Sequence, residues 1–379
     1  MTDSPHRVHG LAADQVVPDW PPLLEAEVDM LLAGYPQLGP VDGIAWHSPR
    51  PLSAACLAHT GAGTVFIKRH HQRVRTPSSL SEEHRFLEHL YRAGAAVPRV
   101  LANAQGATAV ALGEWTYEVH AQAVGLDLYR DSESWSPLDD LAHARAAGAA
   151  LGRLHRAATG YDAPQRSTHL LVARNELIAA SDPVATLAAQ LPQRPGLADY
   201  LHARDWRAEL RALIDTRHAT LPSRLQRESR LWTHNDWHVS NLYWSDAGSQ
   251  ASVSAVLDFG LASPTWAVFD LATAIERNAI AWLTLAQGHA LAYPQTALAL
   301  LSGYRETAAL SADQVHLIAD LLPLVHLDFA LSEVEYFHAI TCSPANAAVA
   351  YDTFLRGHTQ WFDTTDGRAL LEALHDDAV

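Results

Sequence analysis

Two short stretches hold the densest polar chemistry of the chain. The first is His234-Asn235-Asp236-Trp237-His238-Val239-Ser240-Asn241; the second, past a polar turn, is Val256-Leu257-Asp258-Phe259-Gly260. They fit H-x-D-x-x-x-x-N followed, about 20 residues on, by D-F-G. Phosphoryl transfer from ATP needs a carboxylate that orients the attacking hydroxyl and accepts its proton, and oxygen ligands that hold Mg²⁺ against the phosphates. Asp236 supplies the first. Asn241 and Asp258 supply the second, because hard Mg²⁺ takes a few carboxylate or amide oxygens and leaves its other positions to water and phosphate. The same patch admits a reading of another class, in which His234, Asp236 and His238 alternate on one face as ligands of a metal-dependent hydrolase. That reading leaves Asn241 and Asp258-Phe-Gly without a purpose. His234 is expected to brace the loop rather than donate a proton, and His238 is given no chemical role.

A third group stands apart. Lys68 is the only lysine of the chain, against 26 arginines. A position that keeps lysine where arginine is accepted everywhere else calls for a compact ammonium on a slim stem rather than a planar fork. The elements around these groups are of two textures. After a short helix (Leu23 to Leu32), residues 42–48, 53–60 and 64–71 read as strands, the last two joined by Gly61-Ala-Gly63. A helix follows, with Ser79-x-x-Glu82 as its capping box and Gly94 and Pro98 closing it. Two more strand-like runs, 107–112 and 115–124, lead to Gly125. From Leu138 nearly everything reads helical except residues 231–260. The expectation is an α+β chain with segregated elements: an N-terminal helical extension (1–40), a small β-rich lobe (41–124) and a large helical lobe (125–379), with a ligand cleft at the junction.

These motifs resemble the aminoglycoside phosphotransferase and choline/homoserine kinase group of small-molecule kinases, from about Trp46 to Ala274. The resemblance implies a bilobal protein-kinase-like fold, a small antiparallel sheet lobe beside a large, mainly helical one. It implies ATP and Mg²⁺ as cofactors and a small hydroxyl-bearing molecule as acceptor. It also implies that Asp270, in Pro264-Thr-Trp-Ala-Val-Phe-Asp270, supports the catalytic loop. A kinase of this kind requires a lysine on the third strand, paired to a helix glutamate; Lys68 ends Val65-Phe-Ile-Lys68 on that strand. Of the glutamates on the next helix, Glu83 falls on the apolar stripe with Phe86, Leu87 and Leu90, and it is the expected partner. Registering Gly125 to the group's glycine after the hinge puts Ala121 and Ala123 against adenine. The turn over the phosphates, Ser48-Pro-Arg-Pro-Leu-Ser53, departs from the group in having no glycine, and Ser53 is the contact it offers.

Composition narrows the remainder. The 379 residues carry a net charge of −15, so a general affinity for nucleic acid is not expected. Two cysteines, Cys56 and Cys342, lie far apart in no metal-like spacing. The N-terminus has no apolar signal core, and the apolar stretch 279–301 is broken by Gln287, Gly288, His289 and Pro294, so no membrane span and a cytoplasmic location are expected. A protein kinase of the same fold would carry a long activation segment and A-P-E; here nine residues separate Gly260 from Asp270. A nucleotide-binding module without turnover would tend to have lost one of Lys68, Asp236, Asn241 or Asp258. From Leu261 onward there are 14 acidic residues against 4 arginines. Within that segment Asp328, Ser332 and Glu335 share a helical stripe, which fits an amine-bearing acceptor (an amino alcohol, a homoserine-like amino acid or an aminosugar), while a solvated acidic face accounts for the same charge with no function.

Overall fold

The computed structural model describes residues 18–130, 132, 134–138, 140–283 and 291–378. Its first part is a five-stranded antiparallel sheet, β1 (Val41–His47), β2 (Ala54–Thr60), β3 (Gly63–His71), β4 (Ala109–Leu112) and β5 (Trp115–Ala121), in the order β1-β2-β3-β5-β4. The β2–β3 register runs from Ala54↔Arg69 to Thr60↔Gly63, so the hairpin turns at Gly61-Ala62. Of the expected N-terminal helical extension (1–40), residues 1–17 lie outside the described residues, and helix α1 (Glu25–Leu32) packs on the sheet. Its Val28, Leu31 and Leu32 join Cys56, Ala58, Ile67 and Val119 in one apolar core, and Arg69 on β3 pairs with Glu27 at 2.7 Å.

Helix α2 (Pro77–Arg92) starts three residues earlier than the Ser79 box implies. Thr76 is the N-cap, accepting from the Ser79 amide while Ser79 reaches back to the Thr76 amide, and Pro77 supplies a φ already suited to the first turn. Ser79 is thus the third helical residue rather than the cap. The stripe of Phe86, Leu87 and Leu90 packs downward into the core of the second lobe with Trp232 and Phe259.

That lobe opens with α3 (Leu141–Ala158), followed by the short helices α4 (Glu176–Ala179), α5 (Pro183–Gln190), α6 (Pro195–Leu201), α7 (Trp206–Ile214) and α8 (Leu221–Leu225). Two small antiparallel pairs then carry the motifs: β6 (Arg230–Thr233) with β9 (Ser263–Trp266), and β7 (Leu242–Trp244) with β8 (Val253–Val256). Helices α9 (Ala267–Asn278), α10 (Pro294–Arg305), α11 (Ala312–Leu321), α12 (Leu327–Glu335), α13 (Pro344–Val349), α14 (His358–Trp361) and α15 (Thr365–Asp377) complete it. α3 and α10 cross so closely that a Cβ at Gly148 would collide with the Leu300 carbonyl, and one at Gly303 with the Arg145 carbonyl. The helical run Ala312–Ile340, 29 residues, is long and apolar enough to cross a membrane by length and composition, which the interrupted 279–301 stretch did not suggest; 89% of its apolar window is buried inside the protein. The helix that carries Asp328, Ser332 and Glu335 is composite: α12 is flanked by a 3₁₀ turn (Leu322–Leu324) and a wider π turn (Tyr336–Ile340).

Candidate active site

The loop after β6 is held by its backbone. Asp270 on α9 accepts from the His234 amide (2.9 Å) and the Asn235 amide (2.8 Å), and also from His155 Nε2 of α3 (2.9 Å). Asn235 takes φ 62°, a left-handed kink that Asn tolerates, and the two anchored amides fix it. His234 is spent on the same task. Its Nδ1 accepts from the Asp236 amide (3.1 Å), so the proton sits on Nε2, which donates to the Leu257 carbonyl (2.8 Å). With both ring nitrogens occupied, His234 has no lone pair for a metal, and the hydrolase reading of His234, Asp236 and His238 fails. His234 and Asp270 thus both tie down the backbone of this loop.

Asp236 therefore projects from a fixed frame. The Asn241 side-chain amide donates to the Asp236 carbonyl (3.0 Å), which leaves Asn241 Oδ1 as an acceptor without a partner among the described residues. His238 Nε2 lies 3.5 Å from Asp236 Oδ2, and Arg277 Nε lies 3.6 Å from Oδ1. Burial works to raise the Asp236 carboxyl pKa, but His238 and Arg277 outweigh it and hold the group well below the usual carboxylate range. His238 is itself pushed down by burial. Arg277 went unnoticed in the sequence, although it lies seven residues after Asp270 on one helical face.

Lys68 stands on β3 between Ala55 of β2 and Glu118 of β5, and its ammonium lies 2.9 Å from Asp258 Oδ1. Burial opposes its charge, yet Asp258, Glu118 and Glu83 together raise its pKa, so it is protonated. Asp258 sits at φ 53° and also accepts from the Gly260 amide (3.2 Å). Burial would raise its carboxyl, and the Lys68 ammonium more than reverses this. Its side chain is 41% exposed, open to the cleft.

The expected Lys68–Glu83 pair is not what the fold makes. Glu83 is buried on α2 and lies 3.3 Å from Arg166 Nη2, whose fork also donates to the carbonyls of Ser79 (3.3 Å), Gly260 (3.3 Å) and Ala262 (3.2 Å). The planar guanidinium claims the helix carboxylate and ties α2 to the segment after Asp258, while Lys68 reaches across the cleft. Glu83 still lines the cleft, as a charge near Lys68 rather than its bonded partner.

One side of the cleft is lined by Leu57, Phe66, Pro98 and Val256 with the backbone of Ala121, Gln122 and Ala123 at its rear. The Ala121 amide is taken by the Arg99 carbonyl, and the Ala123 amide and carbonyl meet no partner among the described residues. Just beyond, Gly125 has φ 128°, and a Cβ there would strike Ser254 Oγ and the Trp244 carbonyl, so only glycine lets the chain cross between lobes here. Ser53 opens onto both halves of the cleft, and so does Arg50 from the same glycine-free turn. Arg50, not singled out in the sequence, donates to Ser134 Oγ (2.7 Å), so the turn bridges to the second lobe.

The other half of the cleft is walled by Trp135, Leu171, Leu261, Phe329 and Arg75, with Asp236 and Asp258 at its floor. Asp328 and Glu335 do not line it. Glu335 is buried against Arg194 (2.8 Å), and Ser332 accepts from the Leu171 amide (2.6 Å). Asp328 is buried too, and burial together with Glu176 pushes its carboxyl up to about 7. The stripe is real, but it faces the packing of α12 on α6; Phe329, one residue on, is what reaches the cleft.

A model of the phosphotransferase enzyme family matches residues 52–310. No curated protein matches the chain in sequence. Among solved structures it is similar to a microcompartment-associated aminopropanol kinase (17% identity, 90% of this chain and 98% of that one, TM-score 0.55). It is also similar to an amicoumacin kinase in complex with AMP-PNP and Ca²⁺ (15%, 90% and 97%, TM-score 0.54). A third likeness is to an aminoglycoside phosphotransferase from Alicyclobacillus acidocaldarius (14%, 95% and 97%, TM-score 0.51). At these identities the likeness speaks for the fold, a bilobal kinase-like one.

Proposed function

The chain belongs to the phosphotransferase enzyme family and acts as an ATP-dependent kinase on a hydroxyl, and we propose that it carries the γ-phosphoryl group of Mg·ATP in line to an alcohol of a small molecule. The observation that carries this reading is the convergence, in one continuous cleft, of Lys68, Asn241 and Asp258 with the braced carboxylate of Asp236. The ionised Asp236 orients the acceptor hydroxyl and takes its proton as the bond to phosphorus forms. Lys68 presents its ammonium to the triphosphate, with Arg50 and Ser53 beside it in place of a glycine-rich turn. The Ala123 amide and carbonyl, without partners among the described residues, face adenine. Asn241 Oδ1 and the open Asp258 carboxylate are the hard oxygens suited to Mg²⁺. That ion would neutralise charge on the phosphates.

The acceptor half sets limits on the substrate. Apart from Asp236 and Asp258 it holds no carboxylate among the described residues, and it carries Arg50 and Arg75. The amine-bearing acceptor expected from the acidic C-terminal region loses the two residues named for it. The wall of Trp135, Leu171 and Phe329 instead suits a hydroxyl-bearing molecule with an apolar or aromatic body. A cytoplasmic location is part of this proposal, since the reaction it describes draws on a supply of ATP. The test is to incubate the protein with ATP labelled in its γ-phosphoryl group, a cell metabolite extract and an antibiotic library, and to read products by mass spectrometry. A labelled phosphate ester of a small molecule is the expected result; label found only in protein or in free phosphate would count against it.

A further inference from the structure

Beneath the cleft floor lies a second polar cluster that phosphoryl transfer does not use. Glu276 on α9, His326 at the start of α12 and His358 at the start of α14 are each buried, at 1%, 5% and 2% exposure. Their ligand atoms lie within 4.8 Å of one another. Both histidines aim Nδ1 at the same carboxylate oxygen: His326 Nδ1 is 3.3 Å and His358 Nδ1 is 3.4 Å from Glu276 Oε1. These contacts are longer than the 2.7–2.9 Å expected of a charge-assisted hydrogen bond. Both Glu276 oxygens and both His358 nitrogens lack a hydrogen-bond partner among the described residues. A buried carboxylate left in that state is unfavourable unless something else satisfies it.

We propose that Glu276, His326 and His358 form a binding site for a divalent transition cation of the zinc class, held by one carboxylate oxygen and two imidazole Nδ1 atoms. The spacing fits the ion. With bonds of about 2.0–2.1 Å, the edge of a tetrahedron around zinc is about 3.3–3.4 Å, and the two distances to Glu276 Oε1 are 3.3 and 3.4 Å. The next layer also fits. His326 Nε2 faces Glu333 Oε2 at 3.8 Å, the far-side carboxylate that orients a metal-bound imidazole. Trp282 stacks on the His358 ring at 3.7 Å and fixes its plane. The fourth position is left to water.

A second cluster, His84, Glu118 and His120, meets the same proximity test but differs in one respect. There the imidazoles bond Glu118 at 2.9 and 2.7 Å, a network complete without an ion. The Glu276 site also touches the chemistry. Arg277 Nε is 3.4 Å from Glu276 Oε2 and 3.6 Å from Asp236 Oδ1, so a cation on Glu276 leaves Arg277 more fully to Asp236.

The inference stands apart from the identity of the acceptor, and its test reads metal rather than turnover. The full chain is stripped with a chelator, dialysed against Zn²⁺ and then against metal-free buffer, and its metal content measured, alongside Glu276→Gln, His358→Asn, Asp258→Asn and His84→Asn. About one equivalent is expected in the unaltered chain, in Asp258→Asn and in His84→Asn, falling at least tenfold in the other two. Because a core substitution can unfold the chain, the stripped unaltered protein is also titrated with Co²⁺, for which strong visible bands of a four-coordinate N,O site are expected. Absence of retained zinc and of those bands, or equal zinc in Glu276→Gln and His358→Asn, would overturn the proposal.

Discussion

At the scale of single residues, the site is a set of charges whose protonation is fixed by neighbours. Lys68 is held by point contacts to Asp258 and by the field of Glu118 and Glu83, in a slot at the meeting of two lobes. Arginine keeps the charge but brings a planar fork into a space shaped for an ammonium. Lys68→Arg is accordingly expected to cut kcat/KM for ATP by at least tenfold with little loss of thermal stability, read by steady-state kinetics and a melting curve. Arg277 tests the electrostatics of the base. A proton acceptor works only when ionised, and its rate is lost as pH falls through its pKa. Arg277 helps to keep that pKa low, so its removal raises it and the rate is lost at a higher pH. Arg277→Gln should therefore shift the acid limb of the kcat/KM profile upward in pH, while an unchanged limb would mean that His238 alone sets Asp236.

At the scale of elements, the fold works by clamping. The Glu83–Arg166 pair fastens α2 to the segment after Asp258, and α3 meets α10 through glycines. Glu83→Gln leaves Arg166 buried with one less charge, although carbonyls and Glu82 at 3.7 Å remain. The expected cost is about 1–3 kcal/mol of stability, with KM for ATP changed less than threefold; a collapse of ATP affinity at unaltered melting temperature would restore Glu83 as the partner of Lys68. Gly303→Val drives a branched side chain into the Arg145 carbonyl and should cost about 3 kcal/mol or more, visible as a lowered denaturation midpoint. Such clamps explain what the sequence hid. Strands and motifs were legible because alternation and turn residues are local signals, and β1 to β5 lie within about three residues of their expected ends. Arg166 lies 83 residues from Glu83, and no local signal joins them. For Asp328 and Glu335 periodicity did find a shared face, but α12 is buried on all sides, so spacing cannot say which face meets the cleft.

At the scale of the whole molecule, two cores meet along a crevice. The sheet with α1 forms one, the helical lobe with the inner face of α2 forms the other, and Gly125 carries the chain between them. Groups about 170 residues apart in sequence share the crevice because each lobe contributes one wall: Lys68 from the sheet, Asp236, Asn241 and Asp258 from the small strand pairs. The central proposal is a division of labour within the crevice, with Asp258 and Lys68 for the nucleotide and Asp236 for the acceptor. Calorimetric titration of Mg·ATP into the unaltered chain, Asp236→Ala and Asp258→Ala tests it directly. The dissociation constant should stay within about threefold on loss of Asp236 and weaken by at least tenfold on loss of Asp258. Equal binding by all three proteins, or loss of binding with Asp236→Ala alone, would contradict it.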